Sequence, residues 1–382
     1  MQFTLADYKK FQLEKEEGYI TEKRHPWFKN LVILNYTNRA VVDRRWNNET
    51  MMARGLILDT NTLEVVAKPF PKFFNMDENL EYQRDIPRCD CNPPTLTVKQ
   101  DGSLGISYMM GNALFWATRG SFESKQAFIA NEIWDRKYAT KIIKDEKLRE
   151  KLRETLRGIT LLVEIIDPKT RIVVDYEGMS DLILIGAVDI RGKFPIDLTM
   201  DSLKAIGQML DMPVTEQVDL TIDEAIKMKS EIPANEEGWV LQWDNGKRLK
   251  VKGDDYMAVH RVAYGLSLKR KLEAWHTGKM KELIEQVPEE FRKEVEAFQD
   301  NWDALAMTIT ENLQYILDEC LANAETRKDF ATNVKNNESL EKRYQSLIFT
   351  GYDTKKINID VIKMYIYKNY RDFIEEGEEE DA

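Results

Sequence analysis

Cysteine and histidine are both scarce. The three cysteines in 382 residues, Cys89, Cys91 and Cys320, are too few for a disulfide framework, and Cys89-Asp90-Cys91 has no second pair with which to hold zinc. Ordinary reduced thiols are expected. The three histidines, His25, His260 and His276, are widely spread, which gives a histidine triad or zinc site little support. Long hydrophobic runs are also missing. Nothing approaches the roughly 18 apolar residues of a membrane span, and the N-terminus lacks a basic-then-apolar secretory signal, so a cytoplasmic protein with no membrane partner is expected. Nor is positive charge in excess: a net charge of -11 argues against a protein that coats nucleic acid by bulk electrostatics, while leaving room for a local basic cleft. Much of the acidity lies in Glu375-Glu376-Gly377-Glu378-Glu379-Glu380-Asp381, expected to be a solvated, frayed end.

What is present has the makings of two domains. A chain of 382 residues exceeds one ordinary domain. Up to about residue 255, short apolar runs such as Leu56-Ile57-Leu58 and Leu161-Leu162-Val163 are separated by turn residues, which reads as α+β. Arg84 to Thr95, with three prolines, suits an irregular connection. Runs over Leu96–Tyr108 and Leu114–Ala117 flank Gly111-Asn112, a hairpin turn signal. One helix is then expected from Ser121 or Ser124 towards Arg157. Beyond residue 256 only Pro288 remains, and Val295, Phe298, Trp302, Leu305, Ile309, Leu313 and Ile316 step by three or four along one helix face. Residues 1–255 and 256–382 are therefore expected as two domains, the second helical.

Several segments carry the chemistry. In Val98-Lys99-Gln100-Asp101-Gly102-Ser103-Leu104-Gly105 a lysine ends an apolar strand, and glycines let backbone approach a ligand. By itself the segment also fits an exposed lysine beside a turn. Arg248-Leu249-Lys250-Val251-Lys252 alternates, so a strand would send both lysines to one face. Such a pair wants an anion between them, phosphate above all, unless it is a solvated edge. Glu164 and Glu237 sit in apolar company, where a carboxylate needs an ion pair, a hydroxyl or Mg²⁺. Upstream, Arg54-Gly55 precedes a strand, and Lys68-Pro69-Phe70-Pro71-Lys72-Phe73-Phe74-Asn75 mixes cations with aromatics. That mixture either grips phosphates and stacks on a base or anchors a loop to the core.

In this order the segments resemble the covalent nucleotidyltransferase superfamily of ligases and capping enzymes, whose first signature is Lys-x-Asp-Gly, and within it the RNA ligase 1 family of T-even phage type. Gly351-Tyr352-Asp353 and Lys368-Asn369-Tyr370-Arg371-Asp372-Phe373-Ile374 extend the resemblance to the C-terminal part. It implies an α+β nucleotidyltransferase domain, an ATP-grasp-like ligase adenylation domain, followed by an all-helical C-terminal domain. It makes Lys99 the adenylated nucleophile, Asp101 and Gly102 the residues that shape its loop, and Arg119 the counterpart of a catalytic lysine in the prototype. Glu164 matches the third motif, Glu237 the fourth, and Lys250 with Lys252 the fifth. Arg54 and Lys72 match cations on the ATP phosphates, and Phe74 an aromatic of the same segment. Glu164 and Glu237 are the metal candidates. No site residue is assigned in Leu182-Ile183-Leu184-Ile185-Gly186, and near Gly278-Lys279-Met280-Lys281-Glu282 the prototype's acidic pair is reduced to Glu282.

The activity so implied is ATP-dependent RNA ligation, with Mg²⁺ or Mn²⁺, joining 5'-phosphate and 3'-hydroxyl ends of single-stranded RNA in RNA or tRNA repair. A monomer in a bacterial or phage-infected cell is expected. Lys99 would attack the α-phosphate of ATP, pass AMP to the RNA 5'-phosphate, and the 3'-hydroxyl would then displace AMP. A free lysine, with a pKa near 10.4, is almost wholly protonated at neutral pH, so Lys250, Lys252 and bound Mg²⁺ are expected to disfavour the ammonium form. DNA ligases and capping enzymes share these motifs but usually continue into a β-rich OB domain, whereas this chain turns helical. A non-catalytic RNA-end-binding protein is the other alternative, and intact Lys99, Glu164, Glu237, Lys250 and Lys252 speak against it. Gly246-Lys247 lacks the glycine loop of a P-loop, and no His-Arg-Asp accompanies Val66-Ala67-Lys68 as a kinase requires.

Overall fold

Among the described residues fourteen strands lie before residue 253, in the order β1 (Ile20–Arg24), β2 (Leu31–Tyr36), β3 (Arg54–Asp59), β4 (Val65–Ala67), β5 (Phe74–Asn75), β6 (Thr95–Val98), β7 (Ser103–Met110), β8 (Ala113–Thr118), β9 (Ile159–Ile166), β10 (Asp181–Asp189), β11 (Ile196–Asp197), β12 (Gln217–Val218), β13 (Gly238–Gln242) and β14 (Arg248–Lys252). These elements come from a computed structural model, which describes residues 1–373 apart from 77, 85, 87–92, 264–265 and 288. Cys89, Cys91 and the acidic run 375–381 lie outside the described residues. The chain packs as two units, Met1–Ala263 and Tyr264–Ala382.

In the first unit the strands form three sheets, ordered β1-β2-β3-β4, β11-β10-β9-β7-β8 and β12-β6-β13-β14-β5. Their apolar faces fill separate clusters. One unites Leu34, Leu56, Ile57, Ile106 and Leu162; a second packs Leu161, Val163 and Ile165 under the helices around Ile133 and Leu203; a third packs Leu96, Trp239, Leu249 and Val251. Because alternate residues of β9 enter different clusters, every residue of that strand is buried, the pattern of a sheet covered on both sides. Glu164 therefore shares a face with Leu162, directed away from Val163 and Ile165.

Gly111, at φ +60°, makes the two-residue hairpin between β7 and β8, where Met110 pairs with Ala113. The strand that leads to Lys99 ends at Val98, as expected; β6 and β7 belong to different sheets, and residues 99–102 are the crossing between them. One expectation is corrected: no single helix reaches Arg157. Ser124 caps Lys125–Ile133, a π-helical turn covers Trp134–Ala139, and Asp145 breaks the path at ψ 103° to cap Glu146–Leu156, its side chain accepting from Leu148 N.

The elements of the second unit's described residues are all helices, the longest being Glu289–Ala322. Val295, Trp302, Ile309, Leu313 and Ile316 are buried along that helix. Asp303 joins it to two neighbours, accepting from Trp275 Nε1 at 2.9 Å and pairing with Lys363 at 2.6 Å. No helix among the described residues is long and apolar enough to cross a membrane.

Candidate active site

The third sheet sets the first part of the site by register alone. β13 pairs with β6 on one side, Trp239 opposite Val98, and with β14 on the other, Gly238 opposite Lys252. Lys99, Glu237 and Lys252 thus stand at the ends of three adjacent strands, which lie about 4.8 Å apart. Lys99 N donates to Gly238 O at 2.8 Å. Glu237 bridges the two ammonium groups, Oε2 to Lys99 Nζ at 2.5 Å and Oε1 to Lys252 Nζ at 3.0 Å. The Lys99 side chain is 19% exposed and that of Lys252 11%, so neither points into bulk water. Burial pushes the Glu237 carboxyl up, but Lys99 and Lys252 outweigh it and hold the group below the usual carboxylate range. Gly238 makes the approach possible. Its φ is +126°, and a Cβ there would stand 2.1 Å from Val251 O.

The crossing from β6 to β7 is pinned by one carboxylate. Asp101 Oδ2 accepts from Val173 N at 2.9 Å and Val174 N at 2.8 Å, while Oδ1 accepts from the Tyr256 hydroxyl at 2.9 Å. Asp101 N donates to the Tyr176 hydroxyl at 2.8 Å. Gly102 then passes so close to β9 that a Cβ would lie 2.6 Å from Ile165 O and 3.1 Å from Glu164 Cγ. Asp101 and Gly102 therefore shape the loop, one by hydrogen bonding and the other by having no side chain.

Glu164, opposite Leu104 in the second sheet, is 9% exposed. Among the described residues no hydrogen-bond donor reaches its carboxylate. Burial pushes it up to about 7, reinforced by Glu237 and Asp101 and opposed by Lys99 and Arg54. Arg54 opens β3 and donates to Phe70 O at 3.3 Å; burial lowers its guanidinium, with Glu164 opposing and Arg119 adding to the effect. The Phe73 ring lies between cations, with Arg54 at 5.4 Å and Lys250 at 5.0 Å. Lys250 and Lys252 do share one strand face, while Leu249 and Val251 enter the core.

Three candidates stand elsewhere. Phe74 is 1% exposed, enclosed by Trp46 at 5.5 Å, Tyr82 at 5.0 Å and the Lys72 ammonium at 4.5 Å. It is therefore an anchor of β5 and has no open face for a base. Lys72 is itself buried, its ammonium also 5.3 Å from the Trp46 ring. Arg119 is exposed and donates to the Tyr36 hydroxyl at 2.7 Å. Its backbone abuts Gly55, whose absent Cβ would meet Arg119 Cα and O at 3.2 Å each.

The RNA ligase family model matches residues 52–260, more than half of the chain and the stretch from just before Arg54 to beyond Tyr256. The chain belongs to the RNA ligase family. A Thermovibrio ammonificans protein bearing an RNA ligase name is 26% identical over 187 residues, covering 48% of this chain and 46% of that protein; the chain thus spans about half the length of the curated relative it matches. Among solved structures, a Naegleria gruberi RNA ligase with PPi is 20% identical over 51% of this chain and 60% of its own, with a TM-score of 0.37. An Aquifex aeolicus protein described as an ATP-dependent DNA ligase is 12% identical over 88% and 89%, with a TM-score of 0.44. At those TM-scores neither likeness bears on the site.

Family membership sharpens two points of geometry. Glu237 does not suit a metal, because both of its oxygens are taken by lysines, and the described residues hold no group of three or more His, Cys, Asp or Glu that would cage an ion. Glu164 does suit one: its oxygens lack donors, and Mg²⁺ needs only one or two carboxylates beside phosphates and water. The tyrosines that hold the Lys99 loop, Tyr176 and Tyr256, gave no sequence signal, because an isolated tyrosine has no periodicity and its hydroxyl partners lie 75 and 155 residues away.

Proposed function

We infer that this chain is an ATP-dependent RNA ligase that joins 5'-phosphate and 3'-hydroxyl ends of single-stranded RNA through a lysyl-AMP and an adenylated RNA end. The observation that carries the reading is the shared Glu237 carboxylate, which sets Lys99 beside Lys252 at the ends of adjoining strands within the stretch that matches the RNA ligase family. Lys99 Nζ attacks the α-phosphorus of ATP, forming the N–P bond as the P–O bond to pyrophosphate breaks. The RNA 5'-phosphate takes AMP from Lys99, and the 3'-hydroxyl closes the phosphodiester and releases AMP.

The expectation that neighbouring cations alone strip Lys99 of its proton needs amendment, since its nearest charged partner is a carboxylate. An ammonium has no lone pair, so the proton must leave to solvent before the attack, and the existing hydrogen bond lets the Glu237 carboxylate hold Lys99 Nζ in place. Lys252 and Lys250 then face the developing charge on the phosphate. Arg54 serves the polyphosphate from β3. Lys72 and Phe74 act from the layer beneath by fixing β5 against β14, and Arg119 acts from the exposed loop beside Tyr36. Magnesium, held by Glu164 and the nucleotide phosphates, would neutralise charge on the α-phosphate. We read residues 1–255 as the adenylyl-transfer part and 256–382 as the part that selects RNA, acting as a monomer on RNA or tRNA breaks in the cytoplasm of a bacterial or phage-infected cell.

Incubation with α-labelled ATP and Mg²⁺ should label the protein, and 5'-phosphorylated RNA should then remove the label more effectively than its DNA counterpart. Lys99→Ala should stay folded by circular dichroism and take up no label. Labelling of that variant at the wild-type level would end the proposal. RNA-end binding without labelling would mark a non-catalytic protein, and preference for the DNA strand a DNA ligase.

A further inference from the structure

The turn between β1 and β2 exposes two large aromatics side by side, Trp27 at 75% and Phe28 at 40% of their full surface. Such exposure could reflect a loose loop, but this one is locked from below. His25 is 3% exposed, and its Nδ1 accepts from Trp27 N and Phe28 N, both at 3.2 Å. With Nδ1 an acceptor, the ring proton sits on Nε2, which lies 3.1 Å from the Tyr108 hydroxyl. The imidazole also packs on Phe122 at 4.7 Å and Phe28 at 5.1 Å between ring centres.

Charge surrounds the same tip. Lys23 and Arg24 lead into it and Lys29 leaves it, all exposed, with Arg24 Nη1 donating to Lys29 O at 2.9 Å. Glu123 faces His25 from the adjoining loop, and Glu22, next to Lys23 on β1, is already paired with Lys15 at 2.9 Å, which leaves three exposed cations at the tip of a chain of net charge -11. Phe122, against which His25 packs, lies three residues beyond Arg119 and two before the Ser124 helix cap. The tip thus joins the loop that abuts Gly55 and, through it, Arg54 of the site.

We propose that this tip is a stacking platform for single-stranded RNA, with Trp27 and Phe28 taking unpaired bases and Lys23, Arg24 and Lys29 taking the phosphates between them. Aromatic faces beside cations are the combination that holds single strands without reading sequence. The histidine lock presents the rings with little ordering left to be done on binding. The platform rests on the RNA ligase reading for its purpose, since it would hold the strand outside the reacting centre.

The test is binding of a fluorescent 5'-phosphorylated single-stranded RNA to the full-length protein by anisotropy, alongside Lys99 labelling by ATP. Trp27→Ala should weaken binding about tenfold, Trp27→Phe should recover most of it, and both should be adenylated like the wild type. Lys29→Ala should lower the slope of log affinity against log salt by about one. Unchanged RNA affinity in Trp27→Ala would overturn the platform, as would a change in oligomeric state on gel filtration, which would make the tip a protein contact. Failure of the wild type to be adenylated would instead count against the ligase reading, leaving the binding result to stand or fall separately.

Discussion

Glu164→Gln should stabilise the fold at neutral pH while impairing adenylation. The carboxyl is pushed from 4.5 to about 7 by burial. Below pH 4.5 it is protonated in both folded and unfolded chains and contributes nothing. As pH rises from 4.5 towards 7, the unfolded chain releases a proton that the folded chain still holds, so stability falls. Above pH 7 the whole cost is in place. At about 1.4 kcal/mol per pH unit, that interval corresponds to about 3 kcal/mol. The amide abolishes the titration, and no donor is orphaned because none reaches the carboxylate. Its own N–H groups need acceptors, which makes about 3 kcal/mol an upper bound. For a unit of this size that is a rise of up to about 6 °C. Melting of both proteins across pH 4 to 8 should show coincident values at the acid end and a gap that opens towards pH 7, while labelling by ATP falls. A variant no more stable than the wild type at pH 8 would refute the claim that Glu164 is a strained, uncompensated carboxylate.

Other outcomes follow from the loop around Lys99. Asp101→Ala leaves the Val173 and Val174 N–H groups and the Tyr256 hydroxyl without their acceptor, and should cost at least about 2 kcal/mol in urea unfolding. Asp101→Asn, which can still accept from both N–H groups, should cost much less. Gly102→Ala places a methyl 2.6 Å from Ile165 O; the backbone must yield, so a loss of about 1–3 kcal/mol and poor adenylation are expected, checked by melting and labelling. Phe74→Leu should leave the KM for ATP unchanged while lowering the melting temperature, because the ring is enclosed by Trp46, Tyr82 and Lys72. A raised KM at unchanged stability would return Phe74 to the nucleotide.

Local pattern determined much of this protein. The hairpin at Gly111-Asn112, the alternation of Arg248–Lys252 and the helical stripe from Val295 to Ile316 are each set by residues within a turn or two, where periodicity and φ preference act directly. The Lys-x-Asp-Gly run points to Lys99 as the candidate nucleophile without help from the fold. Tertiary structure decided what those residues touch. Register across β6, β13 and β14 gives Lys99 a carboxylate partner, and no feature near Lys99 announces Glu237, 138 residues away. Likewise, only packing between sheets puts Phe74 inside, leaves Glu164 without a donor among the described residues and sends β6 and β7 to different sheets. The pairings that decide protonation and burial are long-range, and a sequence states its short-range preferences far more clearly than which distant strands will meet.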